Sequence, residues 1–250
     1  MNFIKTPNLP QSDVALIAIS GTYPKIITAL KALGIETIEI KPCGNLSEPV
    51  SSHTDMLCHH LGKNQIIIAE QGDGGYLKAK LKNYGFEVIS SNKCISMLYP
   101  YDVPLNAARV GHYLIANQAV LDNKIMEFCK KNGIKIINVK QGYAKCSTIV
   151  VDEHSIITAD QSIERAAIEA RIDTLLIEQG HITLPGCDYG FIGGACGFIG
   201  KNKIAFTGNI HKHSSYAKIK NFLDRKGIQM ISLTDDDLID IGGIIPLKEK

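Results

Sequence analysis

The chain has 250 residues, 45% of them hydrophobic and 21% charged, with a formal net charge of +2 at pH 7. Its basic residues are spread rather than clustered, so the electrostatic footprint of a nucleic-acid-binding protein is missing. No apolar run is long enough to span a bilayer, and the opening MNFIKTPNLPQSD lacks the apolar core of a signal peptide, so a cytoplasmic protein without membrane partners is expected. The seven cysteines are odd in number and form no CxxC pairs, which reads as reduced thiols.

Along the chain, DVALIAIS predicts a first buried strand. Ile26, Ile27, Leu30 and Leu33 then mark the apolar face of a helix. ALGIETIEI (32–40) ends that helix at Gly34 and enters a strand. SHTDMLCHHLGKNQIIIAE (52–70) follows, with a short polar opening and two strands joined at Gly62-Lys63-Asn64. In EQGDGGYLKAKL, Gly72, Gly74 and Gly75 precede a helix, but their spacing is not the dinucleotide fingerprint. They are read as a flexible turn with the helix N-terminus beside Asp73. The stretch NYGFEVISS (83–91) again runs helix, glycine, strand.

YPYDVPLNAARVGHYLIAN (99–117) repeats the two-strand segment, with its turn at Gly111-His112. A helix carrying Ile125, Met126 and Cys129 leads to KNGIKIINV (131–139). GYAKCSTIVVDEHSIITAD (142–160) turns at Asp152-Glu153-His154 and leads to EARIDTLLI (169–177), where Arg171 replaces the glycine. FIGGACGFIGKNKIAFTGN (191–209) turns at Gly200-Lys201-Asn202. A helix with Ile219, Phe222 and Leu223 then gives way to DRKGIQMIS (224–232). Glycine tolerates the left-handed backbone that closes a helix, so helix, glycine, strand is a physical signature. One unit of strand, turn, strand, helix, glycine, strand is therefore written five times, and a period of roughly 45–50 residues suits propellers and solenoids. No linker or low-complexity segment divides the chain, which predicts a single domain over 1–250.

Five such units resemble the pentein fold, the α/β propeller of the guanidino-group-modifying superfamily of arginine deiminases, dimethylarginine dimethylaminohydrolases and amidinotransferases. The HTDM, YPYDVPLNA, QGYAKCS and GFIGGACG stretches are similar to an uncharacterised clostridial-type family of that fold. The resemblance implies an α/β, five-bladed propeller with pseudo-fivefold repeats, closed by DVALIAIS and GGIIPL in one blade. It also implies first strands converging on a central pocket, where a Cys attacks a guanidinium carbon, a His moves protons and carboxylates hold the cation. In those enzymes the nucleophile follows a glycine pair near the C-terminus. Here Gly242 and Gly243 are followed by Ile244, Ile245 and Pro246. An aliphatic side chain cannot be that nucleophile, so no citrulline or ammonia from arginine above background is expected.

Matched positions in the units nominate the site. Asp55 and Asp102 are expected to face one axis and hold a cation together, their repulsion raising the pKa of one when no cation is bound, although Asp often just caps a turn. His53, two residues from Asp55 and on the same side of an extended strand, is the candidate proton carrier. Asn106 offers an amide to the ligand or to a turn. Lys145 beside Cys146 suits an activated thiol, but neighbours on a strand face opposite ways, so only one is expected in the pocket. Cys196, beside Gly193 and Gly194, is the other thiol candidate, in a segment where a ligand can approach the backbone.

No metal or other cofactor is expected. Cys58-His59-His60, His211, His213 and Cys196 supply soft ligands without structural-zinc spacing. The reading that follows is a small-molecule-binding protein whose acidic central pocket takes a cationic guanidino or amidino ligand, with no turnover required. One alternative is a thiol-dependent hydrolase or transferase with its nucleophile moved to Cys146 or Cys196. Another is a non-catalytic macromolecular adaptor, by analogy with the ribosome anti-association factor of this fold.

Overall fold

The computed structural model describes residues 1–70 and 75–250. Gly72, Asp73 and Gly74, read as a turn from sequence, lie outside the described residues. In chain order the first elements are β1 (Asn2–Phe3), β2 (Val14–Ser20), α1 (Pro24–Ala32) and β3 (Glu36–Ile40). A short α2 (Thr54–Leu57) precedes β4 (Cys58–Gly62), β5 (Gln65–Ile68), α3 (Tyr76–Asn83) and β6 (Glu87–Ser90). Next come β7 (Ala108–Val110), β8 (Tyr113–Ala116), α4 (Asn123–Lys131) and β9 (Lys135–Asn138). They are followed by β10 (Thr148–Asp152), β11 (Ser155–Thr158), α5 (Gln161–Glu169) and β12 (Asp173–Leu176). The last are β13 (Cys196–Gly200), β14 (Lys203–Phe206), α6 (Tyr216–Arg225), β15 (Gln229–Ser232) and β16 (Ile245–Glu249).

The protein is a mixed α/β chain of five small sheets, and none of them closes on itself. Four have three strands, in the orders β4-β5-β6, β7-β8-β9, β10-β11-β12 and β13-β14-β15. In each, a tight turn pairs the first two strands antiparallel, and a helix carries the chain across to a parallel third strand. The fifth sheet, β1-β16-β2-β3, has the same pairing, but β16 from the C-terminal segment supplies the antiparallel partner of β2. β1 adds to the outer side of β16 and covers its edge.

The helices that cross to a parallel strand close on a left-handed residue, as the sequence predicts: Gly34, Gly85, Gly133 and Gly227 have φ between 66° and 85°. Arg171 adopts φ 62°, so the turn geometry is kept where the glycine is not. The middle strands are buried on both faces, which is why they read as unbroken apolar runs: Ile66, Ile67, Ile156 and Ile157 are fully inaccessible. Ile26, Ile27 and Leu30 of α1 pack into the core, whereas Leu33, expected on the same face, is exposed because it lies past the last helical turn. Among the described residues no helix is long and apolar enough to cross a membrane.

Two local departures from the sequence reading shape the centre of the molecule. Asp55 lies on the helical turn α2 with His53 as its N-cap, not on an extended strand. Ala144–Ser147 form a turn before β10 rather than its first residues, which removes the strict alternation expected for Lys145 and Cys146.

Candidate functional site

The segments that open the sheets bring a set of polar side chains into the interior. His53, Asp55, Asn106, Cys146 and Asp240 are each no more than 2% exposed, and Lys145 is 8% exposed. Burial of so many titratable groups is costly, so each needs partners.

Asn106 ties two of the segments together. Its Oδ1 accepts from the backbone N–H groups of Lys145 (2.7 Å) and Cys146 (3.2 Å). Its Nδ2 reaches Cys146 Sγ at 3.1 Å and the Asp55 carbonyl at 3.4 Å. The amide offered to a ligand in the sequence reading is thus engaged in holding the 144–147 turn against α2. Because that turn is not a strand, both of its central side chains face inward. Cys146 Sγ donates to Asp55 Oδ2 at 2.9 Å, and Lys145 Nζ donates to the Gly193 carbonyl at 3.3 Å.

Gly193 and Gly194 pass beside this turn, with Gly194 N donating to the Cys146 carbonyl at 3.0 Å. No larger residue fits: a Cβ on Gly194 would sit 1.9 Å from Asp240 Oδ1. Asp240 comes from the segment before β16. Its carboxylate accepts from Phe191 N (2.9 Å) and Gly242 N (3.0 Å), and its Oδ1 lies 3.7 Å from His53 Nδ1. Gly242, at φ 73°, passes against His53 and accepts from Asp55 N at 3.1 Å.

Neither of the two expected carboxylates draws its raised pKa from the other. Asp102 takes a short hydrogen bond from the Tyr143 hydroxyl, and the Tyr143 ring stacks between Tyr99 and Phe191 at centroid distances of 5.6 and 5.7 Å. The acidic neighbour of Asp55 is instead Asp240. Burial raises the Asp55 carboxyl to about 6, with Lys145 and His53 opposing the rise and Asp240 adding to it. Burial likewise raises Asp102, opposed by the Tyr143 hydrogen bond. Asp240 and Tyr143 were missed in the sequence. Asp240 sits two residues ahead of Gly242, just outside the GGIIPL stretch, and Tyr143 lies within QGYAKCS.

Burial, together with Asp55 and Asp240, pushes the Cys146 thiol well above its ordinary value, so it is a protonated donor to Asp55. Cys196, buried at the start of β13, is pushed up to about 12, chiefly by burial and despite Lys145. His53, Asp55 and Cys146 have potential ligand atoms all within 4.8 Å of one another. Among the described residues no such grouping joins Cys58, His59, His60, His211, His213 and Cys196. His59 and His60 diverge across β4, one beside Arg109 and Lys145, the other bonded to the Lys63 carbonyl at 2.9 Å.

The centre is incompletely satisfied. His53 Nδ1 and Nε2, Asp55 Oδ1 and Asp102 Oδ1 are buried without a hydrogen-bond partner. Each such group costs roughly 1–3 kcal/mol. A cavity of about 20 Å³, enough for one water, adjoins Asp55 and is lined by His59, His60, Arg109 and Lys145.

A family model described as a family of unknown function (DUF6873) matches residues 18–245, and the chain belongs to that family. No curated protein matches the sequence. Among solved structures, the chain is similar to SxtG, an amidinotransferase of the saxitoxin biosynthetic pathway from Microseira wollei. The identity is 10%, 99% of this chain and 97% of that one are covered, and the TM-score is 0.58. It is also similar to C. jejuni agmatine deiminase (9% identity, 98% and 97% covered, TM-score 0.59). The inosamine-phosphate amidinotransferase StrB1 of Streptomyces griseus gives 8% identity, 100% and 98% coverage and a TM-score of 0.60. At such identities the likeness is one of fold: this chain has the fold of the guanidino-modifying superfamily.

Proposed function

We propose that this DUF6873 member is a thiol-dependent enzyme acting on a C–N bond of a small cationic guanidino or amidino compound, with its nucleophile at Cys146. In this reading the five sheets stand as blades around an axis, and the ligand binds on that axis between Asp55 and Asp240. The observation that carries it is the grouping of His53, Asp55 and Cys146 within 4.8 Å. Three chemical roles the reaction needs — nucleophile, proton carrier and cation holder — are present in one buried cluster.

A guanidinium or amidinium offers N–H donors to the carboxylates, including the unpartnered Asp55 Oδ1. Its positive charge lies beside the thiol and favours the thiolate, offsetting the burial that keeps Cys146 protonated. The proton passes to His53, whose ring nitrogens have no other hydrogen-bond partner. The thiolate forms an S–C bond to the amidino carbon. The C–N bond then breaks and the leaving amine takes the proton from His53. Water or an acceptor amine attacks the same carbon, and the Cys146 sulfur leaves and regains its proton.

A catalytically silent binder is the second reading, favoured by the protonated thiol and by the small size of the adjoining cavity. Thermal-shift measurements with guanidines, amidines and polyamines, run beside ammonia release and amidino transfer to an added amine, test both readings. We expect a guanidine or amidine to raise Tm, with the rise lost in Asp55→Asn and Asp240→Asn. Turnover lost in Cys146→Ser with binding kept supports the enzyme. Binding without turnover supports the silent protein, and no stabilisation by any cation contradicts both.

A further inference from the structure

We propose that His53, Asp55 and Cys146 also form a binding site for a thiophilic divalent cation of the zinc class. Imidazole nitrogen, carboxylate oxygen and thiolate sulfur are the three donors zinc accepts, and three protein ligands with an open fourth position is a zinc-site pattern. All three residues are almost wholly buried, and their donor atoms lie within 4.8 Å of one another. A tetrahedral zinc ion requires donor separations of roughly 3.5 Å, which bond lengths of about 2.0–2.3 Å imply. A small contraction therefore completes the site.

The orphaned atoms point the same way. Both His53 ring nitrogens and Asp55 Oδ1 lack hydrogen-bond partners. Asp240 Oδ1 stands 3.7 Å from His53 Nδ1, the arrangement in which a carboxylate orients a ligating imidazole from its far side. Coordination converts the Cys146 thiol to thiolate, forms the S–metal bond and releases one proton to solvent. The Asp55 and Asp240 carboxylates and that thiolate, set against the Lys145 ammonium, leave two negative charges for a dication. The ion occupies the place of the amidino carbon in the proposed reaction, so metal and organic cation exclude each other. The metal site itself does not depend on turnover.

The test is titration of the reduced, full-length protein with Zn²⁺ against a chromophoric chelator, repeated with Co²⁺ to read sulfur-to-metal charge-transfer absorption. We expect one ion per chain, with the charge-transfer band abolished and Zn²⁺ affinity lowered about 100-fold or more in Cys146→Ser. His53→Gln should lower the affinity about 10-fold or more. A Cys94→Ser, Cys187→Ser double variant, lacking the two exposed thiols, should bind as the parent does. Far-UV circular dichroism identifies any variant that fails to fold. For such a variant, protection of the Cys146 thiol from alkylation by Zn²⁺ in the parent protein is the deciding measurement. Absence of binding, binding unchanged in folded Cys146→Ser, loss of binding in the exposed-thiol variant or no protection of Cys146 overturns the proposal. If zinc binds while no guanidine or amidine does, only the organic-ligand reading fails.

Discussion

Cys146 and Asp55, 91 residues apart in sequence, meet in a buried hydrogen bond of 2.9 Å in which the thiol donates to the carboxylate. The bond joins the turn before β10 to the single helical turn before β4. It places a nucleophilic atom beside a buried anion, and burial, with that anion adding to it, keeps the thiol protonated.

Thiol reactivity follows. Cys94 and Cys187 are exposed and should be alkylated first, while buried Cys146 should react slowly. Replacing Asp55 by Asn removes a negative charge that adds to the rise of the thiol, so Cys146 should then react faster. Mass mapping of alkylated peptides over time measures this. An unchanged Cys146 rate in Asp55→Asn contradicts the electrostatic coupling.

The pH dependence of stability sets opposing groups against each other. Asp55, raised to about 6, keeps a proton in the fold that the unfolded chain loses above about 3.9, so its contribution to stability falls as pH rises from about 4 to 6. His59 and His60, lowered to about 4 chiefly by burial, lack protons that the unfolded chain binds below about 6.5. Their contribution therefore rises with pH over the same window. Burial also raises Asp102, which subtracts from the slope, and lowers His213, which adds to it, so the buried histidines leave a net rise with pH over this window. Urea midpoints across the window should climb with pH, more steeply in Asp55→Asn. The climb should be shallower in the His59→Gln, His60→Gln double variant; a slope unchanged in it contradicts the assignment.

Gly194 holds its place by contact rather than by backbone freedom. A methyl group there meets the Asp240 carboxylate at 1.9 Å, and that carboxylate anchors Phe191 and Gly242. Gly194→Ala should cost about 1–3 kcal/mol in chemical denaturation, the usual range for overpacking. Gly34→Ala is the contrast: a Cβ there meets nothing within 4 Å, and only its φ of 77° opposes the change, so it should cost less than Gly194→Ala. Equal losses at the two positions contradict the steric account.

The parts of the fold written in local chemistry were readable from the sequence. The glycines after each helix, the two-strand turns and the Ile-rich middle strands fix local geometry, and the sheets form where those signals fall. Matched positions and their neighbours nominated His53, Asp55, Asn106, Lys145 and Cys146, and the fold buries all five at its centre. It was unreadable where one turn replaced a strand. The helical turn at Thr54–Leu57 and the turn at Ala144–Ser147 decide which side chains face inward, and no periodicity marks them. Equivalence of Asp55 and Asp102 in sequence does not reveal that Tyr143 bonds the Asp102 carboxylate. Asp240 was missed because it comes from the C-terminal segment, whose place beside His53 depends on the pairing of β16 with β2.

The most direct measurement is covalent labelling with a haloacetamidine, an amidinium cation carrying an electrophilic carbon, followed by peptide mapping. The thiolate displaces the halide and leaves one acetamidine group on sulfur. The account predicts that Cys146 is labelled faster by this cation than by neutral iodoacetamide, opposite to the order at exposed Cys94 and Cys187. Asp55→Asn should remove that preference, because the carboxylate that draws the cation is gone. Labelling confined to Cys94 and Cys187, or a Cys146 rate indifferent to the charge of the reagent, would contradict it.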